Sequence, residues 1–179
     1  MKPTRALLFT LTVVVLVIAC STDLPRLTSY RDRIWTIVEK LDRQCVQMND
    51  LLDNRDSYPT YRAIQMAEDI TNQISFIREE LAGVKPPDPV ISGNDALVEA
   101  AANLAQASAT AEAYAAEPGS KTKHDQTLLY LRNFRSQRDT AVNRITRALE
   151  AAGLVAHPPE TPIPGTSNVP PADAQILLE

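Results

Sequence analysis

Apolar side chains recur along this chain in steps of four and three. The first series is Ile34, Val38, Leu41, Cys45, Met48 and Leu52, and Leu27 extends it backward by a heptad. Residues three and four apart share one face of a helix, so the series predicts a single packed helix face. Asp23-Leu24-Pro25 reads as the start of this helix, an N-cap acid followed by Pro in the first turn, and the helix runs to about Asn54. Asn54-Arg55-Asp56-Ser57 is a polar break, and Pro59 opens a second helix. Its stripe is Ala63, Ala67, Ile70, Ile74, Ile77, Leu81 and Val84, with Gly83 marking the end.

Lys85-Pro86-Pro87-Asp88-Pro89 predicts a stiff, non-helical crossing, because three prolines fix φ and remove donors. Ser92-Gly93-Asn94-Asp95 has the spacing of a capping box that would open a third helix. That helix places Leu97, Ala100, Leu104, Ala107, Ala111 and Tyr114 on one face. From Ala96 to Ala116 it holds 11 alanines in 21 residues, which lets a neighbour approach closely but buries little area per side chain. Glu117-Pro118-Gly119 ends it. Thr122-Lys123-His124-Asp125 reads as a second capping box, opening a fourth helix with Leu128, Leu131, Phe134, Val142, Ile145 and Leu149 on its stripe and Gly153 at its end. Arg135 and Arg138 interrupt that stripe, so one of them is expected at the margin of the core. From His157 onward, prolines lie among Thr, Gly and Ser with no apolar period, which predicts an extended, disordered tail.

Four helices of about 24–32 residues, each about 36–48 Å long, match in length and are joined by short connections. The expected fold is all-α, an up-down-up-down antiparallel four-helix bundle over residues 20–156, with a Pro-rich tail over 157–179.

The first 19 residues follow another pattern. Lys2 and Arg5 precede an apolar run from Ala6 to Ala19, and Leu16-Val17-Ile18-Ala19-Cys20 closes it. A positive start, a short apolar middle and a small residue before the cut make a secretory signal. Val17-Ile18-Ala19-Cys20 resembles the lipobox of bacterial lipoprotein precursors. The resemblance implies cleavage between Ala19 and Cys20, diacylation of the Cys20 thiol and attachment of the mature chain to a membrane by lipid. It also implies an address. Ser21, where an Asp would favour retention at the inner membrane, points to the periplasmic face of the outer membrane in a two-membrane envelope. With one membrane the address is its outer surface. The rival reading is an uncleaved anchor, but this 14-residue run, Thr10 and Thr12 included, covers only about 21 Å of a hydrocarbon core about 30 Å thick.

Composition narrows the function classes. Removing residues 1–19 takes away Lys2 and Arg5 and no acid, so the 18 basic residues of the chain become 16 against 22 acidic, a net −6. A mildly acidic chain argues against nucleic acid as a partner. With Cys20 lipidated, Cys45 has no intrachain mate; it is expected as a small buried hydrophobe, with pairing between chains as the alternative.

Chemistry-bearing residues are sparse. The two histidines, His124 and His157, sit at a helix start and beside prolines, and no Cys-x-x-Cys-His or Glu-x-x-His pattern occurs. A haem held by Met48 or Met66 with His124 is weaker than the packing reading, since both Met lie among helix-packing positions. Glu68-Asp69 and Glu79-Glu80 are adjacent acids that diverge by about 100° around a helix and do not converge on one atom. Cys45 lies on an apolar stripe with no His near in sequence, which argues for an inert thiol. No metal and no cofactor is expected.

Arg132, Arg135, Arg138, Arg144 and Arg147 form a basic run, read as solvated surface with pairing to acids of neighbouring helices such as Asp69 or Glu99. Arg138 is the candidate for a partly buried ion pair, a feature that fixes register more than it adds stability. Trp35, Tyr30, Tyr58, Tyr61, Tyr114 and Tyr130 are expected at stripe flanks as amphipathic packing.

The leading expectation is a lipid-anchored extracytoplasmic bundle with a non-catalytic binding or structural role in the cell envelope. Its tail would reach an envelope protein or a cell-wall polymer. The alternative is a small-molecule binding or sensory bundle with a cleft beside the Ala-rich third helix. An enzyme ranks third.

Overall fold

The computed structural model describes the backbone of residues 4–160 and the side chains of residues 24–160. Four α-helices follow one another: α1 (Thr4–Asp53), α2 (Thr60–Ala82), α3 (Ile91–Ala116) and α4 (Lys121–Ala151). Single 3-10 turns lie at Arg55–Ser57 and Asp88–Val90, and the described residues contain no strand. The fold class is all-α with four helices, as the stripes predict. Among the residues with described side chains, no helix is long and apolar enough to cross a membrane.

Cross-helix contacts give the direction of each neighbour. Asp42 meets Arg138 and Asn49 meets Arg135, so α1 and α4 run antiparallel. Lys40 pairs with Glu80 at 2.6 Å across α1 and α2. Arg144 donates to the Ser92 carbonyl near the start of α3, while the Tyr114 and His124 rings meet at a tilt of 58°, centroids 5.3 Å apart, at the other end. α3 and α4 are therefore antiparallel, and α3 lies parallel to α1, where Tyr30 Oη donates to Asn94 Oδ1. The stripe residues Leu27, Ile34, Val38, Leu41, Cys45, Met48 and Leu52 are all buried, as are all seven stripe positions of α2.

Element ends depart from expectation in several places. α1 does not begin at Asp23; it continues back to Thr4 with Pro25 inside it. A Pro removes one helical hydrogen bond, and the helix-competent residues on both sides carry the helix past that loss. Neither capping box forms. α3 begins at Ile91 with buried Val90 at its N-cap, and α4 begins at Lys121 after Ser120; neither N-cap makes a side-chain bond. A cap is worth about 1 kcal/mol, less than burying a Val side chain, so packing of Val90 decides the start of α3. Asp88–Val90 forms a 3-10 turn where no helix of any kind is predicted. Gly83 caps α2 at φ −79°, in the right-handed region, so it is not a left-handed stop. Gly153 is one: at φ +80° it lets its own N–H reach the Glu150 carbonyl and the Leu154 N–H reach the Leu149 carbonyl. That pair of bonds is a Schellman motif.

On α4 the stripe takes Thr127 in place of Leu128, which is exposed. Thr127 is fully buried because its hydroxyl bonds back to the Lys123 carbonyl at 2.9 Å. Arg55, in the predicted polar break, is also buried. Its guanidinium donates to the Ala115 carbonyl at 2.6 Å and to the Tyr58 carbonyl, which ties the α1–α2 turn to the end of α3.

Candidate functional site

The polar centre of the bundle is Arg138 on α4 with Asp42 on α1. Both are buried, Arg138 at 2% exposure and Asp42 at 5%. Arg138 Nη2 lies 2.6 Å from Asp42 Oδ2 and Nε lies 3.1 Å from Oδ1, a two-pronged pair. Burial pushes the Asp42 carboxyl up, and the Arg138 guanidinium opposes that shift. Arg138 is therefore in the core and not at its margin, and its acid is Asp42 and not Asp69 or Glu99, which are exposed. Spacing carried a signal for this pair. Asp42 stands four residues after Val38 and three before Cys45, and Arg138 four after Phe134 and four before Val142. Opposite charges in core register on two helices mark partners.

The same arginine holds the chain beyond α4. After Gly153 the chain reverses and lies along α1 as an irregular strap, with His157 in the left-handed region at φ 42°. Arg31 donates to the Val155 carbonyl at 2.9 Å, the Trp35 indole N–H donates to the Ala156 carbonyl, and Arg138 Nη2 reaches the Pro159 and Glu160 carbonyls. Ala156 is 3% exposed. Residues 157–160 are thus held against the bundle, where a tail starting at His157 is predicted. Prolines suit this role, since their extended backbone leaves carbonyls without internal partners. A recess of about 260 Å³ lies beneath, between Glu39, Asp42, Arg43 and Val46 of α1 and Pro159 and Glu160 of the strap. The remainder of the predicted tail, 161–179, lies outside the described residues.

A second, larger recess of about 740 Å³ opens between α1 and α2. Val46, Met66, Ile70 and Phe76 supply its apolar surface, and Gln44, Gln47, Asn72 and Gln73 bring four carboxamides to it. Arg43 and Val46 belong to both recesses. Beside the Ala-rich helix, a recess of about 500 Å³ lies between Arg78, Leu81 and Ala82 of α2 and Val98 and Ala101 of α3.

The other singled-out residues are placed as follows. Ala19 and Cys20 lie on the helical backbone of α1, and their side chains are outside the described residues. Cys45 is a buried free thiol, 3.6 Å from Asn49 Nδ2; burial pushes its pKa up against the lowering pull of Arg135 and Asn49. Arg135 donates to Asn49 Oδ1, while Arg132, Arg144 and Arg147 are exposed. Trp35 and Tyr30 are buried, and Tyr61 is exposed. Burial, with Asp95 nearby, pushes the Tyr30 phenol up. Met48 is fully buried, and His124 sits beside Tyr114 and Asp125. Among the described residues no cluster of three or more His, Cys, Asp or Glu side chains has the arrangement of a metal site. No protein-family model, curated protein or solved structure matches the chain.

Proposed function

We propose that this chain is a lipid-anchored extracytoplasmic helical bundle with a non-catalytic binding or structural role in the cell envelope. The observation that carries the reading is Cys20, closing a segment with Lys2 and Arg5 in front and, between them, a fourteen-residue run of twelve apolar residues with Thr10 and Thr12. Lipid on Cys20 is the membrane partner. Cys20 lies seven positions before Leu27, the first core residue among the described side chains of α1, a rise of about 10 Å in a helix. A bundle anchored there stands close over the membrane, with the Gly83–Val90 crossing and the end of α4 at the near side. The strap climbs from Arg31 to Arg43, about 18 Å further from the lipid. It carries the tail away from the membrane, toward an envelope protein or cell-wall partner.

The test is intact mass with membrane fractionation of the expressed protein, wild type beside Cys20→Ser. The expected result is a diacylglyceryl adduct on a chain beginning at Cys20, found in the membrane fraction and lost in the variant. An unmodified wild-type chain would overturn the reading, and residues 6–19 would then be a plain secretion signal or a short anchor.

The second reading is a small-molecule site beside the third helix, favoured by the recess between α2 and α3. Val98 and Ala101 lie on its wall, and Val98→Arg would close it; a ligand retained by that variant excludes the site.

A further inference from the structure

The two helices of the α3–α4 pair differ sharply in charge. α4 carries seven bases and three acids, whereas α3 carries three acids and no base. Asp42, Asn49 and Glu117 engage Arg138, Arg135 and Lys123. Arg132, Arg144 and Arg147 are exposed and form no ion pair among the described residues. The same holds for Asp95, Glu99 and Glu112 of α3, and for Glu150 beside Arg147. Arg144 donates to the Ser92 carbonyl instead of to an acid.

These charges stand at one level of the bundle. Gly93 lies against Ile145, Ser92 against Arg144, and Tyr114 against His124. Along the bundle axis, Asp95 is therefore within about one turn of Arg144 and Arg147, and Glu99 within about two turns of Arg144. A second copy displaced sideways, with no shift along that axis, sets its α4 bases against the α3 acids of the first. Placing α4 on α4, or α3 on α3, brings like charges together. Apolar positions fit the same displacement. Leu129 of α4 is 50% exposed and stands at the level of Ala109, an exposed small residue of α3; Val98 of α3 is 47% exposed. Their burial adds what exposed ion pairs, each worth little, do not supply.

We propose that copies of this chain associate side by side, the basic outer face of α4 on one copy against the acidic outer face of α3 on the next. Such a head-to-tail contact repeats into a ring or a row. All copies keep one direction, as chains anchored in one membrane would, but the contact does not depend on the anchor. Two helix faces make a small interface, so the association is weak and falls with salt.

The test is native mass spectrometry of the purified full chain in detergent, over a series of protein and ammonium acetate concentrations. Arg144→Gln with Arg147→Gln, and Asp95→Asn with Glu99→Gln, are measured alone and mixed in equal amounts. All four side chains are exposed, so the fold should hold. The wild type should form dimers and larger species that are lost at high salt, and each variant alone should be monomeric. The mixture should give a one-to-one heterodimer and nothing larger, because each variant keeps one intact face. A wild type monomeric throughout, oligomers that persist in either variant or at high salt, or a mixture that stays monomeric would each overturn the proposal. The monomer mass reports the Cys20 adduct separately, so failure of the anchor leaves this result readable.

Discussion

At the scale of single residues, the Asp42–Arg138 pair does two jobs that substitution separates. Removing one partner of a buried pair costs up to about 3–5 kcal/mol; Asp42→Ala takes from Arg138 its buried carboxylate, while the half-exposed Asp139 carboxylate stays 3.2 Å from Nη1. That is a large part of the total of about 5–15 kcal/mol expected for a domain. Asp42→Ala should therefore lower the urea midpoint sharply. Replacing both partners together, Asp42→Leu with Arg138→Met, should restore stability to the wild-type level or above, because neither charge is then buried. The same double variant removes the donor to the Pro159 and Glu160 carbonyls. Limited proteolysis should then cut residues 157–160 faster than in the wild type. Restored stability with an unchanged cutting rate would show that Arg138 does not hold the strap.

Cys45 and Tyr30 give a pH dependence of known sign. Burial raises both groups above their ordinary values, about 8.5 for a thiol and about 10 for a phenol. A group raised in the folded state stabilises fully below its unfolded pKa and loses that contribution as pH rises through the folded value. The urea midpoint should fall as pH climbs from the ordinary thiol range into the phenol range. Within the same chain, Cys45 should react with a thiol reagent at mildly alkaline pH far more slowly folded than unfolded, since the thiolate is the nucleophile. Equal rates would mean that the Cys45 face of α1 opens readily.

At the scale of elements, α3 and α4 pack tightly at a glycine of α3. A Cβ added at Gly93 would lie 2.5 Å from Ile145 Cγ1 and 3.0 Å from the Ile145 backbone nitrogen. Gly93→Ala should cost about 1–3 kcal/mol through overpacking. Gly83 is the control: its φ is −79°, and an added Cβ meets nothing nearer than 3.5 Å. Gly83→Ala should raise stability by about 0.4–1 kcal/mol by restricting the unfolded chain. Thermal melts of the two variants should shift in opposite directions. The alanines predicted close approach at α3, but which helix comes closest, and that Gly93 is the contact, follows only from the packing. Capping patterns misled for a related reason: Ser92 and Thr122 have suitable neighbours in sequence, yet both lie inside the first turns of their helices.

At the scale of the whole molecule, the strap runs along α1 from Arg31 toward Arg43, the direction that leads away from Cys20 and so, under the proposed anchor, away from the membrane. Periodicity of apolar residues determined the four helices, their faces and their order, because a helix buries whatever repeats every three to four residues. It also made Arg138 conspicuous, as a charge in core register. The order of charge, apolar run and cysteine over residues 2–20 is the whole basis of the proposed anchor, because such a pattern is local and needs no tertiary structure. Tertiary structure decided the rest. It chose Asp42 among the acids as the partner of Arg138, buried Arg55 against the end of α3, and turned residues 154–160 into a strap. Each depends on which carboxylates and carbonyls other elements bring within hydrogen-bond reach of an arginine guanidinium or the Trp35 indole. That is a property of residues up to 124 positions apart, as Arg31 and Val155 are, and no local pattern encodes it.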